Sequence, residues 1–171
     1  QNTDSITIII ELPPNAGLGG SFDFCQDQNM FILTDLLSAN PNTTGLWTSP
    51  TGDTISNLID PNNAVSGDYI YTILGNTPCP SDNAVLNLNF YKIPNAGNNT
   101  DILICETTGI INLIDSINGN PDNNGYWLDQ DLNYMTGMLE VNNFITGEYM
   151  YIIDGNNICI NDTSVINISS C

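Results

Sequence analysis

Carboxylates and thiols are almost the whole chemical repertoire of this 171-residue chain: 19 Asp plus Glu and 5 Cys stand beside a single basic residue, Lys92, and no His. Without imidazole there is no Ser-His-Asp or Cys-His relay, no acid or base poised near neutral pH, and no His-bearing zinc site. The carboxylates still admit calcium binding or glycoside hydrolysis. Asp129-x-Asp131-x-Asn133 is spaced like the opening of a calcium loop, although the glycine and distal glutamate of an EF-hand are missing. Solvated turn carboxylates are the competing reading, so the metal assignment stays open and calcium is the only candidate cofactor. A formal net charge of -18 removes nucleic acid, nucleotides and acidic lipid surfaces as partners, because nothing is available to neutralise phosphate.

Hydrophobic residues make up 41% of the chain, enough to offset chain entropy and fold. No apolar run approaches the roughly 18 residues of a membrane helix, so direct membrane insertion is not expected. The strongest signal is internal repetition. Slid by 80 residues without a gap, Pro14-Asn15-Ala16-Gly17 returns as Pro94-Asn95-Ala96-Gly97, Gly45-Leu46-Trp47 as Gly125-Tyr126-Trp127, and Gly67-Asp68-Tyr69-Ile70-Tyr71 as Gly147-Glu148-Tyr149-Met150-Tyr151. Leu33, Asp35, Asn40-Pro41 and Asp82 recur as Leu113, Asp115, Asn120-Pro121 and Asp162. Two copies of one domain follow, residues 14–93 and 94–171. Acidic loop residues such as Asp129 and Asp131 largely fail to match between copies. A carboxylate-pair glycosidase would need them to share chemistry, and the expectation is that the chain is not an enzyme.

Each copy reads as all-β. Short alternating runs such as residues 69–74, 84–91 and 165–168 are punctuated by Gly, Pro, Asn and Asp at sandwich-like intervals, and no stretch sustains helical spacing. Trp47 and Trp127 would sit on central strands as core residues, with the Gly-x-Tyr-x-Tyr strands packing across from them. That is an immunoglobulin-like layout, giving a fold class of two tandem immunoglobulin-like β-sandwich repeats. Tyr69 and Tyr149 would form the tyrosine corner, while Tyr71 and Tyr151 replace the second cysteine of the usual inter-sheet bridge.

The cysteines lie elsewhere. Cys25 with Cys79, and Cys105 with Cys159, are spaced identically, and a repeat that folds by itself favours one bridge within each copy, Cys25–Cys79 and Cys105–Cys159. Buried free thiols are the alternative. The bridges imply an oxidising compartment, and Cys171 is left unpaired or intermolecular.

Taken together, Pro-Asn-Ala-Gly, a cysteine, an apolar segment ending Leu36-Leu37, Asn40-Pro41, Gly45-x-Trp47, Ser66-Gly67-x-Tyr69-x-Tyr71-Thr72 and Cys79-Pro80-x-Asp82 resemble the tandem immunoglobulin-like repeats of flavobacterial giant cell-surface adhesins, gliding-motility adhesins among them. The resemblance spans roughly residues 14–171. It departs at Ile158 and Ile160, where prolines flank Cys79 in the first copy, and at residues 128–132, which lack the Pro-x-Gly turn. It implies a secreted segment at the extracellular cell surface that serves as a stalk, adhesive or filament-forming module. Its partners would be neighbouring repeats or subunits, with a surface polysaccharide as a further candidate. A carbohydrate-binding module is the alternative and would need Trp47, Trp127 and Tyr126 exposed in a flat row. Secreted proteins of that bacterial group also carry O-glycans on an Asp-Ser/Thr-apolar pattern, which Ser5, Thr54 and Ser116 resemble.

One further strand is unaccounted for. Residues 5–12 match 85–92 and 165–170, the closing strands of the two copies. Residues 1–13 are therefore expected to be the final strand of a preceding repeat, or a donor strand that completes a neighbouring subunit.

Overall fold

The computed structural model describes residues 11–105 and 107–171. The expected extra strand at residues 1–13 falls almost wholly outside them, as does Ser5. The chain divides into two compact units, with the break between Tyr91 and Lys92.

The first unit is built from β1 (Ser21–Cys25), β2 (Phe31–Ile32), β3 (Leu46–Thr48), β4 (Thr54–Ile55), β5 (Leu58–Ile59), β6 (Gly67–Ile73) and β7 (Asp82–Tyr91). Strict alternation decides which face is buried. In β6, Tyr69, Tyr71 and Ile73 point inward while Asp68 before them and Ile70 between them are exposed; in β7, Ala84, Leu86 and Leu88 point inward too, as a period of two requires. The main sheet runs β1-β7-β6-β3-β4, antiparallel except that β1 lies parallel to β7, with Cys25 opposite Tyr91. A small antiparallel sheet of β2 and β5 closes the other side, and its Phe31 and Ile59 pack on a core of Leu33, Trp47, Tyr69, Tyr71, Leu86 and Leu88. Two packed sheets around one core make a β-sandwich.

The second unit repeats the plan with β8 (Thr100–Ile104), β9 (Ile110–Asn112), β10 (Tyr126–Leu128), β11 (Tyr134–Met135), β12 (Met138–Glu140), β13 (Gly147–Ile153) and β14 (Asp162–Ser170). Its main sheet runs β11-β10-β13-β14-β8, again with β8 parallel to β14, and β9 pairs with β12. Leu113, Trp127, Tyr149, Tyr151, Ile166 and Ile168 form the core.

Much of the repeated sequence is explained by one polar clasp. Asn15 Nδ2 donates to the carbonyls of Ala39 (2.9 Å) and Asn40 (3.0 Å), and its Oδ1 accepts the Gly17 N–H. The Ala16 N–H donates to Asp82 Oδ2 at 2.8 Å. Asn95, Gly119, Asn120, Gly97, Ala96 and Asp162 reproduce these contacts. Ala39 and Asn40 both have positive φ, as do Gly119 and Asn120, so their carbonyls find no strand partner and the asparagine amide satisfies them. Where the first unit has Asn42, the second has Asp122, which accepts the Asn95 N–H at 3.1 Å and forms an ion pair with Lys92. The Lys92 ammonium, as hydrogen-bond donor, holds the Asp122 carboxyl below its usual range against partial desolvation. The pair sits at the surface and adds little to stability.

Candidate functional site

The cysteines do not bridge as their spacing suggests. Cys25 lies opposite Tyr91 at the end of β7, whereas Cys79 comes before Asp82, where β7 begins. Ten residues of strand at about 3.3 Å each place the two roughly 30 Å apart, far beyond the ~7 Å a disulfide spans. Nine residues of β14 separate Cys159 from Cys105 in the second unit in the same way. Cys105 instead bonds Cys171, with Cα atoms 5.0 Å apart, because the parallel register sets Ser170 opposite Ile104 and brings the next residues of both strands together. Cys171 is therefore not unpaired. Cys25 and Cys159 are each disulfide-bonded, and Cys79 is a free, half-buried thiol.

The two units seal this end differently. In the first, Phe24 stacks on Phe31 at 4.3 Å and on Phe90 at 5.8 Å, and Tyr91 occupies the place of Cys171. In the second, the corresponding residues are Ile104, Ile111 and Ser170. These smaller side chains leave a cleft lined by Ile102, Leu103, Ile104, Cys105 and Ile111, and the Cys105–Cys171 bond ties its rim.

Both tryptophans are buried, Trp47 to 2% and Trp127 to 6% exposure, and neither presents a face to a ligand. Each packs on a tyrosine at 4.8 Å between ring centroids, Trp47 on Tyr71 and Trp127 on Tyr151. The tyrosine hydroxyls are fully used. Tyr71 Oη donates to the Asn42 carbonyl (2.7 Å) and accepts the Gly45 N–H (3.0 Å); Tyr151 does the same with Asp122 and Gly125. The glycine before each tryptophan is a consequence, since a Cβ at Gly125 would lie 2.6 Å from Tyr151 Cζ and one at Gly45 would strike the Tyr71 ring. Tyr69 and Tyr149 donate to the carbonyls four residues upstream, Val65 (2.8 Å) and Ile145 (2.7 Å).

No family model matches the sequence, and no curated protein matches it. Among solved structures, the N-terminal four Ig domains of Dscam1 isoform 9.44 align with 94% of this chain and 47% of theirs, at 12% identity and a TM-score of 0.55. Sidekick-1 immunoglobulin domains 1–4 align with 94% and 48%, at 14% identity and a TM-score of 0.52. The I-band fragment I67-I69 of titin aligns with 91% and 64%, at 14% identity and a TM-score of 0.48. The chain spans between about half and two thirds of these chains. Each unit is an immunoglobulin-like sandwich.

The Ig-like frame gives the aromatic residues their roles. Tyr69 and Tyr149 are tyrosine corners, and the tilted Trp–Tyr pairs stand where antibody domains carry a tryptophan against an inter-sheet disulfide. Burial pushes the Tyr69 and Tyr149 phenols above the ordinary 10.0, and for Tyr149 the nearby Asp129 charge adds to the effect. Because the folded values are raised, this contribution to stability is fully present below about pH 10 and is lost as pH rises through the folded values. Melting followed across that alkaline range is expected to fall steeply. The Y69F/Y149F variant is expected to fall less steeply, although it starts lower by about 1 kcal/mol per lost hydrogen bond.

The suspected calcium loop is organised by its own backbone. Asp129 Oδ1 accepts the N–H groups of Asp131 (2.9 Å) and Asn133 (2.8 Å), and Asn133 Nδ2 lies 3.3 Å from both carboxylate oxygens. The Asn133 N–H, above all, holds the Asp129 carboxyl below its usual range. Among the described residues no group of three or more His, Cys, Asp or Glu is placed to hold a metal ion. The first unit builds the same turn from Ser49, Thr51 and Asp53, with Gly52 at φ 89° where the second unit forces Leu132 to φ 65°. Leu132 is 65% exposed and its side chain has little to lose. L132G is expected to raise the unfolding free energy of the second unit by about 1 kcal/mol, measured in urea, by relieving left-handed strain.

The two described O-glycosylation candidates differ in access. Thr54 is exposed on β4, an outer strand of its sheet; Ser116 is half-buried at the end of a 3-10 turn, beside buried Ile117. The outward face of each main sheet mixes polar pairs such as Asn87–Asp68 with apolar side chains, Leu46, Ile70 and Val85 being exposed in the first unit. In the second, half-buried Tyr126 lies 5.3 Å from Tyr134, its ring tilted by 44°, and Tyr134 is 78% exposed. Sequence reasoning missed this pair because Tyr134 has no aromatic counterpart in the first copy.

Proposed function

We propose that the chain is a structural and adhesive repeat segment of a secreted cell-surface protein of the flavobacterial giant-adhesin type that its motifs resemble. The observation that carries this reading is where the repeated residues go: the asparagine clasps, the tyrosine corners and the Trp–Tyr pairs all build the frame, and each is present in both units. A sequence selected to repeat its scaffold suits a spacer, in which length and durability matter more than a single pocket. The oxidised cysteines support an extracellular setting. Of the two described candidates, Thr54 is the better placed to carry a glycan.

Brief protease treatment of intact cells that make the parent protein is the test. Peptides of residues 14–171 released into the medium, together with loss of cell attachment when antibodies to this segment are added, are expected. Recovery of the segment only from within the cells would overturn the assignment. An intact mass equal to that of the bare chain would remove the glycan. Carbohydrate binding remains a second reading on the Tyr126–Tyr134 pair alone. Soluble surface polysaccharide is expected to perturb tyrosine fluorescence in the parent chain and not in Y134A; an unchanged spectrum would dispose of it.

A further inference from the structure

We infer that Cys79 is a covalent attachment point for another copy of this repeat, through a disulfide to the cysteine which that copy carries at the Cys25/Cys105 position. Cys79 is the exception among five cysteines, since Cys105 bonds Cys171 and both Cys25 and Cys159 are in disulfide form. Its counterpart Cys159, 80 residues on, shows what this position does when a partner is present. Each cysteine closes a tight turn, but not the same one: the Cys79 N–H donates to the Asn76 carbonyl at 2.7 Å, three residues back, and the Cys159 N–H to the Gly155 carbonyl at 2.9 Å, four residues back.

Geometry names the partner. Within a unit, the two cysteine positions lie at opposite ends of a strand roughly 30 Å long, so no repeat can close its own pair. A copy approaching head to tail presents the other kind of cysteine at the meeting ends, which is the heterologous contact of a linear array. Leu74, 73% exposed, and Leu12, 85% exposed, line one shallow cleft with Pro13, Pro14, Gly75 and Asn76, next to the Cys79 loop. They offer apolar surface for that contact to cover.

The oxidant is a small-molecule disulfide. The incoming cysteine first exchanges with it, forming a mixed disulfide and releasing one small thiol. The Cys79 thiolate then attacks the protein sulfur of that mixed disulfide, the bond to the small molecule breaks, and the second small thiol leaves with the proton. Two protein thiols are oxidised and one small disulfide is reduced to two thiols. The inference requires an oxidising milieu and no adhesive ligand, so it can fail or succeed separately from the adhesive reading.

C171S frees Cys105 to act as the incoming thiol. Incubated with oxidised glutathione, this variant is expected to form disulfide-linked oligomers whose unreduced peptides join Cys79 to Cys105, while C79S/C171S stays monomeric. Cys79–Cys79 links, or no links in a folded C171S, would overturn the inference. Should C171S fail to fold, a chain lengthened upstream by a duplicate of residues 14–93 serves instead. Alkylation is expected to fall from one reactive thiol at Cys79 to none there, and a Cys79 that remains alkylatable would be decisive against the proposal.

Discussion

Replacing Cys105 and Cys171 together by serine is expected to lower the stability of residues 92–171 by about 4 kcal/mol. The bond joins residues 66 apart in sequence, and releasing a loop of that size restores about 4 kcal/mol of chain entropy to the unfolded state on the entropic model. At 4–8 °C per kcal/mol for a domain of this size, the corresponding melting transition should drop by roughly 15 °C or more. The transition of the first unit should not move, because there Phe24, Phe31 and Phe90 do the sealing. Two transitions in calorimetry, one displaced and one fixed, would be the signature. A chain that melts unchanged would mean that the parallel pairing of β8 and β14 holds the strands without the bond. Restoring aromatic filling, I104F with I111F, should recover part of the loss in the serine variant, on the order of 1 kcal/mol for a stacked pair.

Tyr71→Ala should cost about 3–5 kcal/mol in the first unit, because it opens a cavity beneath Trp47 and strands buried polar groups at once. Tyr71→Phe separates these effects. The ring still packs on Trp47, but the Gly45 N–H and the Asn42 carbonyl lose their shared partner, for an expected cost of about 2 kcal/mol. Denaturant titration of the three proteins would distinguish them. Equal costs for the two substitutions would mean that the hydroxyl matters and the ring does not, contrary to the packing.

Several of these features were legible in the order of residues alone. The gapless repeat marked out two copies of one domain, and alternation in Gly67–Ile73 and Gly147–Ile153 identified strands whose tyrosines turn inward. Local periodicity determines such things, because the side chain's face is set by backbone geometry within a few residues. The burial of Trp47 and Trp127 could be reasoned from their position behind a glycine, and the structure supplies the cause in the tyrosine ring that leaves no room for a Cβ. The repeat also displayed Asn15, Asp82 and their copies without revealing that they form a clasp, since their partners at Ala39 and Asn40 contribute only carbonyl oxygens, which carry no side-chain signal.

The cysteines mark the opposite limit. Equal spacing made Cys25–Cys79 and Cys105–Cys159 look like natural pairs, yet whether two thiols meet depends on strand direction and register. Only the tertiary structure decided that β1 and β8 run parallel to the closing strands, which sends each expected pair to opposite ends of its sandwich and brings Cys105 beside Cys171. Parallel pairing joins strands distant in sequence, and its register is a property of the assembled sheet that no local pattern encodes.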